Sequence, residues 1–548
     1  LLYLTPHESY SSARKFHFEG YMGMGHSIRS LDTGLVEPRY FNLHPFWIGL
    51  FVELFGLEPG VWLATPFVAM CGMMGLFILA FALSGWMGSV LSLSFASLFV
   101  LQVWLGRYIT TEMTVQAAVL NGMAWLLIFG RKRNHLPLFL AGLFIGISHF
   151  ARIDTILIIP AFLGSMYIWL CFLEKPLDKA GFALGYFAAL IPAVHMAATR
   201  FHCYTLETLQ HVNISQLSVR WLSAGLCVLA CIMLLIAPIR KYRLIIVQLL
   251  QPWERALWIT IVSIFTVLLV YGYFIRPVLE PPDYEAFWKL DQTHRSYAMN
   301  QMTLQWLGWY LTLPGVVLAF SGLFLLLRKK WKVTSIPVWS IVLIYMMYFF
   351  HKIHCTPYHY WGMRRYITVV YPFLLIGIGY ALKQLINHRT LRQVRVTGIA
   401  MSFCMAAWLA WDLKLVVRLN HWEGAIEETR EIAQLLSDEN SRLIMPGYPG
   451  VYLNTPLKMI FDRRTYIQNE YANPVTVLKL VKEWLKAGDR VFYMTTEKLA
   501  VENYGALQIQ EVRHSKPIFT LLRDTVEEKP TKISKHAFEY WIYELTVY

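Results

Sequence analysis

The sequence predicts a mainly α, polytopic helical membrane protein that ends in a small C-terminal α/β domain. Three observations carry this. The 548-residue chain is 56% hydrophobic and only 15% charged, with a positive mean hydropathy, a composition that ordinary soluble domains of this length do not have. Apolar runs of about 15 to 22 residues, enough to cross a hydrocarbon core with polar-tipped flanks, recur through the first three-quarters of the chain. After Arg418 the hydropathy falls and amphipathic or alternating patterns replace the long apolar runs.

About twelve runs qualify as spans. They lie near Trp62 to Leu83, Val90 to Leu105, Thr114 to Phe129, Leu136 to Phe150, Thr155 to Phe172, Ala180 to Ala198, Trp221 to Ala237, Ala256 to Phe274, Leu307 to Leu327, Val333 to Phe350, Ile367 to Leu382 and Thr397 to Leu415. Alternate connections are basic: Arg131-Lys132-Arg133, Lys175 with Lys179, Arg240-Lys241 with Arg243, Arg328-Lys329-Lys330 with Lys332, and Lys383 to Arg395. The positive-inside rule puts these in the cytoplasm. The intervening loops carry the acids, among them Glu8, Glu37, Glu112, Asp154 and Glu207, and therefore face outside. The reading is a multi-pass inner-membrane protein whose N-terminal segment and tail face the periplasm or exterior. A cytoplasmic N-terminus then requires one helix before Leu1, for about thirteen spans.

The division that follows is a transmembrane domain over 1–416, with a first external loop over 1–60, and an extracytoplasmic α/β domain over 417–548. In the tail, helices are expected at Glu423 to Leu436 and Pro474 to Ala487, and strands at Arg442 to Met445, Arg490 to Tyr493, Phe519 to Leu522 and Trp541 to Val547.

The net charge of +14 falls in short clusters between apolar runs, so topology explains it and no nucleic-acid partner is expected. The seven cysteines have no metal-type spacing. Only Cys203 and Cys355 fall in loops, both external, where an oxidising compartment would let them pair. His351, His354 and His359 are loosely spaced and lack local acids, so they make a poor metal set. Asn213-Ile214-Ser215 fits a glycosylation acceptor triplet of a kind that chance also produces. No Walker-type phosphate loop is present, which agrees with chemistry that needs no nucleotide cofactor; whether a divalent metal assists stays open.

The external loops hold the candidate chemistry. The first reads Thr5-Pro6-His7-Glu8-Ser9-Tyr10, then Ala13-Arg14, and closes on Arg39-Tyr40-Phe41-Asn42-Leu43-His44-Pro45 before an amphipathic run. The second reads Gly106-Arg107-Tyr108-Ile109-Thr110-Thr111-Glu112-Met113. Ala141-Gly142 to Gly146 leads to Arg152, and Met363-Arg364-Arg365-Tyr366 precedes Pro372. In their order, spacing and common side these stretches resemble the GT-C class of membrane glycosyltransferases, in particular the branch holding protein O-mannosyltransferases and lipid A aminoarabinose transferases. The resemblance covers Leu1 to roughly Leu415.

That resemblance implies an acidic pair opening the first loop. Here the first position is His7 and the second Glu8, so it implies Glu8 as the base for the acceptor hydroxyl, with His7 as a second base or phosphate contact. It further implies a polyprenyl-phosphate-linked sugar as donor, a lipid, glycan or protein as acceptor, and inversion at the anomeric carbon. Arg364 and Arg365 are candidates for the donor phosphate, since guanidinium groups bind phosphate in bidentate fashion, with Arg107 as a third; an aromatic and basic belt against lipid headgroups is the competing reading. Glu112, His44, Arg152 and Tyr366 are expected around the substrate cavity. Arg107 with Glu112 could equally form an internal pair, and Arg152 with Asp154 a buried pair or a substrate gate. Two rival functions remain: a transporter of lipid-linked sugars, against which no internal repeat is visible, and a GT-C-like structural subunit that has lost catalysis.

Overall fold

The computed structural model describes residues 26–30, 35–38, 41–130, 135–172, 180–202, 204–205, 248, 254–284, 299–330, 335–353, 358–446, 453–454, 456–458, 460–468, 474–499, 503–504, 507–522 and 525–547. His7, Glu8, Cys203, Cys355, His354, Asn213 and the span at Trp221 to Ala237 lie outside these residues.

The described chain opens with an antiparallel hairpin, β1 (His26–Ser30) and β2 (Leu35–Pro38). It passes into α1 (Leu43–Phe55), whose Phe46, Leu50, Leu54 and Phe55 stay exposed. Then come α2 (Leu57–Leu98), α3 (Val100–Arg107), α4 (Glu112–Phe129), α5 (His135–Ile147), α6 (Ile158–Phe172), α7 (Ala180–Thr199), α8 (Glu254–Val270), α9 (Arg276–Leu279), α10 (Gln305–Lys330), α11 (Ile336–His351), α12 (Arg364–Ile367), α13 (Val370–Ile386) and α14 (Arg392–Val417). Among the described residues six helices, or seven with the bent pair 361–367 and 370–386 taken as one, are long and apolar enough to cross a membrane. The chain is a multi-pass membrane protein.

Each expected span that falls within the described residues coincides with helix. The count differs for two physical reasons. First, α2 is not one rod: at 42 residues it would run about 63 Å, twice a hydrocarbon core of about 30 Å. Gly85 breaks it with φ +77°, a left-handed conformation that costs glycine little. The rings of Phe77 and Trp86 then meet at 5.7 Å, which a straight helix, rising about 13 Å over nine residues, would prevent. Second, α5, α6 and α11 have 13, 15 and 16 residues, and short 3₁₀ turns at Ser148–Phe150 and Ile153–Leu157 extend the first two.

The centre of the helical body is α13, where Val370 to Leu382 are all buried. Its approach to α10 is backbone against backbone: a Cβ on Gly322 would sit 1.9 Å from the Gly377 carbonyl oxygen. Only small residues allow that contact between membrane helices. Lys383, at the end of α13, donates its Nζ proton to the Ser84 carbonyl. The Gly85 turn and the basic connection after α13 therefore share one side, while the loops before α4, α6 and α12 share the other.

The tail forms a six-stranded sheet of order β4-β3-β5-β10-β7-β6. Its strands are β3 (Ser441–Pro446), β4 (Arg464–Gln468), β5 (Arg490–Thr495), β6 (Asn503–Tyr504), β7 (Leu507–Ser515) and β10 (Tyr540–Val547). β3 runs parallel to β4 and β5, and the remaining pairs are antiparallel. Strand alternation splits the core in two. Leu443, Met445, Phe492, Met494 and Ile542 meet Ile432 and Leu436 of the first tail helix, α15 (Ala425–Leu435), and the residue after it. Ile444, Val491 and Leu545 meet Leu480, Val481 and Trp484 of α16 (Pro474–Lys486) on the opposite face. A separate hairpin, β8 (Ile518–Leu522) with β9 (Ile533–Ala537), leans on the helical body: Leu522 and Val526 belong to its core. The expected tail elements are all present, and β4, β6, β7 and β9 are additional.

Candidate functional site

Five charged side chains from three segments converge at the end of the helical body away from Lys383. Glu112 occupies the first turn of α4, where the helix N-terminus favours a carboxylate. Arg152 sits in extended backbone between two 3₁₀ turns, and Asp154 lies in the first turn of the second. Arg364 and Arg365 open α12.

Arg152 is the hub. Its Nε and Nη2 donate to the two carboxylate oxygens of Asp154 at 2.9 Å each, the bidentate fork that makes arginine–carboxylate pairs strong. Its Nη1 donates to Glu112 Oε1 and to Thr111 Oγ1 at 3.2 Å. Arg364 Nε lies 3.4 Å from the same Glu112 oxygen, and Arg365 Nη1 donates to Asp154 Oδ2 at 3.1 Å. The Arg364 guanidinium also stacks 3.6 Å from the Trp361 ring centroid, a cation–π contact. Glu112 is 1% exposed and Arg152 9% by side chain, against 18% and 17% for Arg364 and Arg365. Among the described residues three guanidinium groups thus share Glu112 and Asp154, with Arg364 and Arg365 the more exposed of the three.

Other expected site residues fall around this cluster or apart from it. His44 is buried, with its ring nitrogens against Thr114 Oγ1 at 2.9 Å and Thr65 Oγ1 at 3.3 Å. It pins α1 to α2 and to the first turn of α4, near enough to Glu112 for charge interaction. Tyr366 is fully buried, and its hydroxyl lies within hydrogen-bond reach of the carbonyls of Thr303 and Phe349, at 3.2 and 3.0 Å, for its one proton. Arg107 donates to the carbonyls of Val416, Val417 and Leu419 at 3.0, 3.2 and 3.3 Å. It caps the C-terminal end of α14, where unpaired carbonyls and the helix dipole favour a cation. His359 packs between Trp306 and Trp309 and bonds Tyr310 through Nδ1. No group of three or more potential metal ligands occurs among the described residues.

Sequence reasoning passed over two buried amides. Gln102 and Gln116 hydrogen-bond each other at 3.0 and 2.8 Å, and Gln116 Nε2 donates to the Ile367 carbonyl at 2.8 Å. That carbonyl ends α12, at the 64° bend before α13, where a membrane helix loses its internal partners. Gln116 lies one turn beyond Glu112, so one face of α4 holds both ends of the arginine-bearing helix. Amides inside apolar runs were the available signal.

No family model and no curated protein matches the chain. In fold it is similar to the apo crystal structure of the Archaeoglobus fulgidus oligosaccharyltransferase, with TM-score 0.49 and 10% identity over 84% of this chain and 62% of that one. It therefore spans less than two thirds of that protein's length. It is similar also to ArnT from Cupriavidus metallidurans bound to undecaprenyl phosphate, with TM-score 0.35 and 11% identity over 92% of this chain and 88% of that one. Likeness at this level assigns neither substrate nor site, which rest on the chain's own residues.

Proposed function

We propose that the chain is a GT-C type glycosyltransferase that moves a sugar from a polyprenyl-phosphate carrier to an acceptor hydroxyl, with inversion, at the membrane face opposite its basic loops. The observation that carries the reading is the convergence of three guanidinium groups, Arg152, Arg364 and Arg365, around Glu112 and Asp154 at one place. A phosphate departing from the anomeric carbon gains negative charge, and fixed cations at the leaving oxygen lower the barrier most effectively in a site shielded from water. Arg364 and Arg365 hold that phosphate. Arg152 is held by both acids and fixes their positions, while Arg107, engaged at the end of α14, is left out of the set.

In the step itself the acceptor O–H gives its proton to the Glu8 carboxylate, with His7 beside it as the alternative base. The freed oxygen bonds to the anomeric carbon, and the carbon–oxygen bond to phosphate breaks with its electron pair going to phosphate. The energy lies in the sugar–phosphate bond, so no nucleotide takes part. The carrier lipid enters from the outer leaflet of the inner membrane, and the 417–548 tail lies on the same outer face.

The rival is a structural subunit without catalysis, which the saturation of Arg152 by two acids favours. Purified chain in lipid vesicles, supplied with a panel of sugar-linked undecaprenyl phosphates, separates the two. Transfer that is abolished in Arg364→Ala/Arg365→Ala and slowed in Glu8→Gln with donor binding retained supports the enzyme. Absence of transfer from every donor by the unaltered chain supports the subunit.

A further inference from the structure

One buried ion pair plays no part in the chemistry above. Asp412 lies within α14, near its outer end, and Lys529 belongs to the segment joining β8 to β9 of the tail. Lys529 Nζ donates to Asp412 Oδ2 at 2.6 Å and to the Trp309 carbonyl at 3.2 Å. The two side chains are 16% and 7% exposed, so their charges are largely withdrawn from water. Nζ also stands 5.2 Å from the Trp408 ring and 5.9 Å from the Tyr310 ring. An acid inside an apolar helix is costly enough to demand a partner, and here the partner arrives from a different domain. Losing either member leaves the other as an unpaired buried charge.

The contacts continue toward the arginines. Tyr310 bonds His359 Nδ1 at 2.9 Å, and the His359 backbone N–H donates to the Thr525 carbonyl at 2.9 Å. Leu522 and Val526 fill the helical core beside them. His359 stands five residues before Arg364, and the intervening 361–363 turn runs directly into α12. The segment that carries both phosphate-binding arginines is therefore gripped at its N-terminal side by the tail, as Gln116 grips its C-terminal end.

The geometry points to Lys529 as a positioning residue: its bond to Asp412 latches the tail hairpin onto the helical body and thereby fixes the 358–363 segment that aims Arg364 and Arg365. This rests on the reading of the site as a donor-phosphate site, and it gives the tail a part in donor binding although the tail contributes no group to the phosphate.

Hydrogen exchange on the full chain in lipid nanodiscs tests the latch without any substrate. Lys529→Met is expected to raise exchange over 358–363 by about tenfold or more, with β5 and β10 of the tail sheet unchanged. Lys529→Arg and the charge swap Asp412→Lys/Lys529→Asp are expected to recover most of the protection. Unchanged exchange over 358–363 in Lys529→Met overturns the proposal. So does loss of protection throughout the tail sheet without recovery in the swap, which marks a folding role. With an active donor, Lys529→Met should raise donor KM about tenfold while kcat falls by less than about threefold; an equal fall in kcat with unchanged KM also overturns it. If the unaltered chain transfers no sugar, the donor-phosphate reading fails, and the exchange experiment still decides the latch.

Discussion

Buried arginines occur in both halves of the molecule, and they are neutralised differently. In the tail, Arg442 meets Asp489 at 2.8 Å and the Tyr466 hydroxyl at 3.0 Å, and it stacks on Trp484. Arg513 meets Glu428 at 2.8 Å and Glu431 at 2.6 Å. In these tail pairs acids equal or outnumber the base, which suits a role confined to holding helices and strands together. In the helical body three arginines share Glu112 and Asp154, and the partners come from positions as far apart as 112 and 365. The reach of the partners along the chain, more than burial, sets the cluster of the helical body apart from the pairs of the tail.

The comparison can be broken most directly at Arg364 and Arg365. Arg364→Ala/Arg365→Ala is expected to lower kcat/KM for the lipid donor by about 10²- to 10³-fold, the size of a lost transition-state charge contact, with a smaller fall of the thermal midpoint in detergent, since Arg152 stays bonded to both Glu112 and Asp154. A matching loss of stability would mean that the two arginines are scaffold like those of the tail. Glu112→Gln should do the reverse in part. It removes the anion shared by Arg152 and Arg364, and a cost of about 3 kcal/mol is expected from the unpaired buried charge, read as a lower thermal midpoint.

Smaller effects belong to the tail. Replacing both members of the closed pair, Arg442→Met with Asp489→Leu, should leave tail stability within about 1 kcal/mol, because no charge is stranded; denaturant melts of the variant would expose a larger loss. The smallest effect is the pH response of Glu428. Burial pushes its carboxyl up, but hydrogen bonds from Tyr540 and Arg513 outweigh this and hold it below the ordinary glutamate value of 4.5. A carboxyl depressed in the folded state stabilises at pH above its unfolded value and loses that contribution as pH falls through the folded one. Tail stability should therefore drop on acidification below 4.5, and Glu428→Gln should flatten that part of the profile. An unchanged profile would show that the Arg513 cluster is slack.

How much of this was legible in the sequence follows the length scale of each signal. Apolar runs and alternating basic loops are local, so the longer helices from α2 to α14 were readable, as were the amphipathic α15 and α16, while the four-residue α9 and α12 were not. The turn at Gly85 was legible only as a gap between two runs; its sharpness depends on a positive φ that sequence does not display. β7 escaped because Leu507–Ser515 carries Gln508, Gln510, Glu511 and Arg513 on a half-exposed strand, a pattern too polar to stand out. At the site, Glu112, Arg152, Arg364 and Arg365 were named from their motifs, and the structure joins them. Arg107 and Tyr366 were named on the same basis and sit on carbonyls, because motif proximity does not say which way a side chain points. Gln102 and Gln116 were missed since each is a single uncharged residue inside an apolar run, and nothing in the sequence shows that the two meet.

The sheathing of α13 has a consequence for how the protein meets its bilayer. From Val370 to Leu382 this helix offers no side chain to lipid, and its 17 residues span only about 25 Å. Hydrophobic mismatch acts through lipid-facing surface, by tilting or stretching the helices that carry it. Membrane thickness therefore has no direct purchase on the element that joins the arginine-bearing turn to Lys383. Thinning or thickening of the surrounding leaflet is absorbed by peripheral helices such as α14, with Phe403 and Trp411 exposed, while the depth of the charged cluster is set by protein alone.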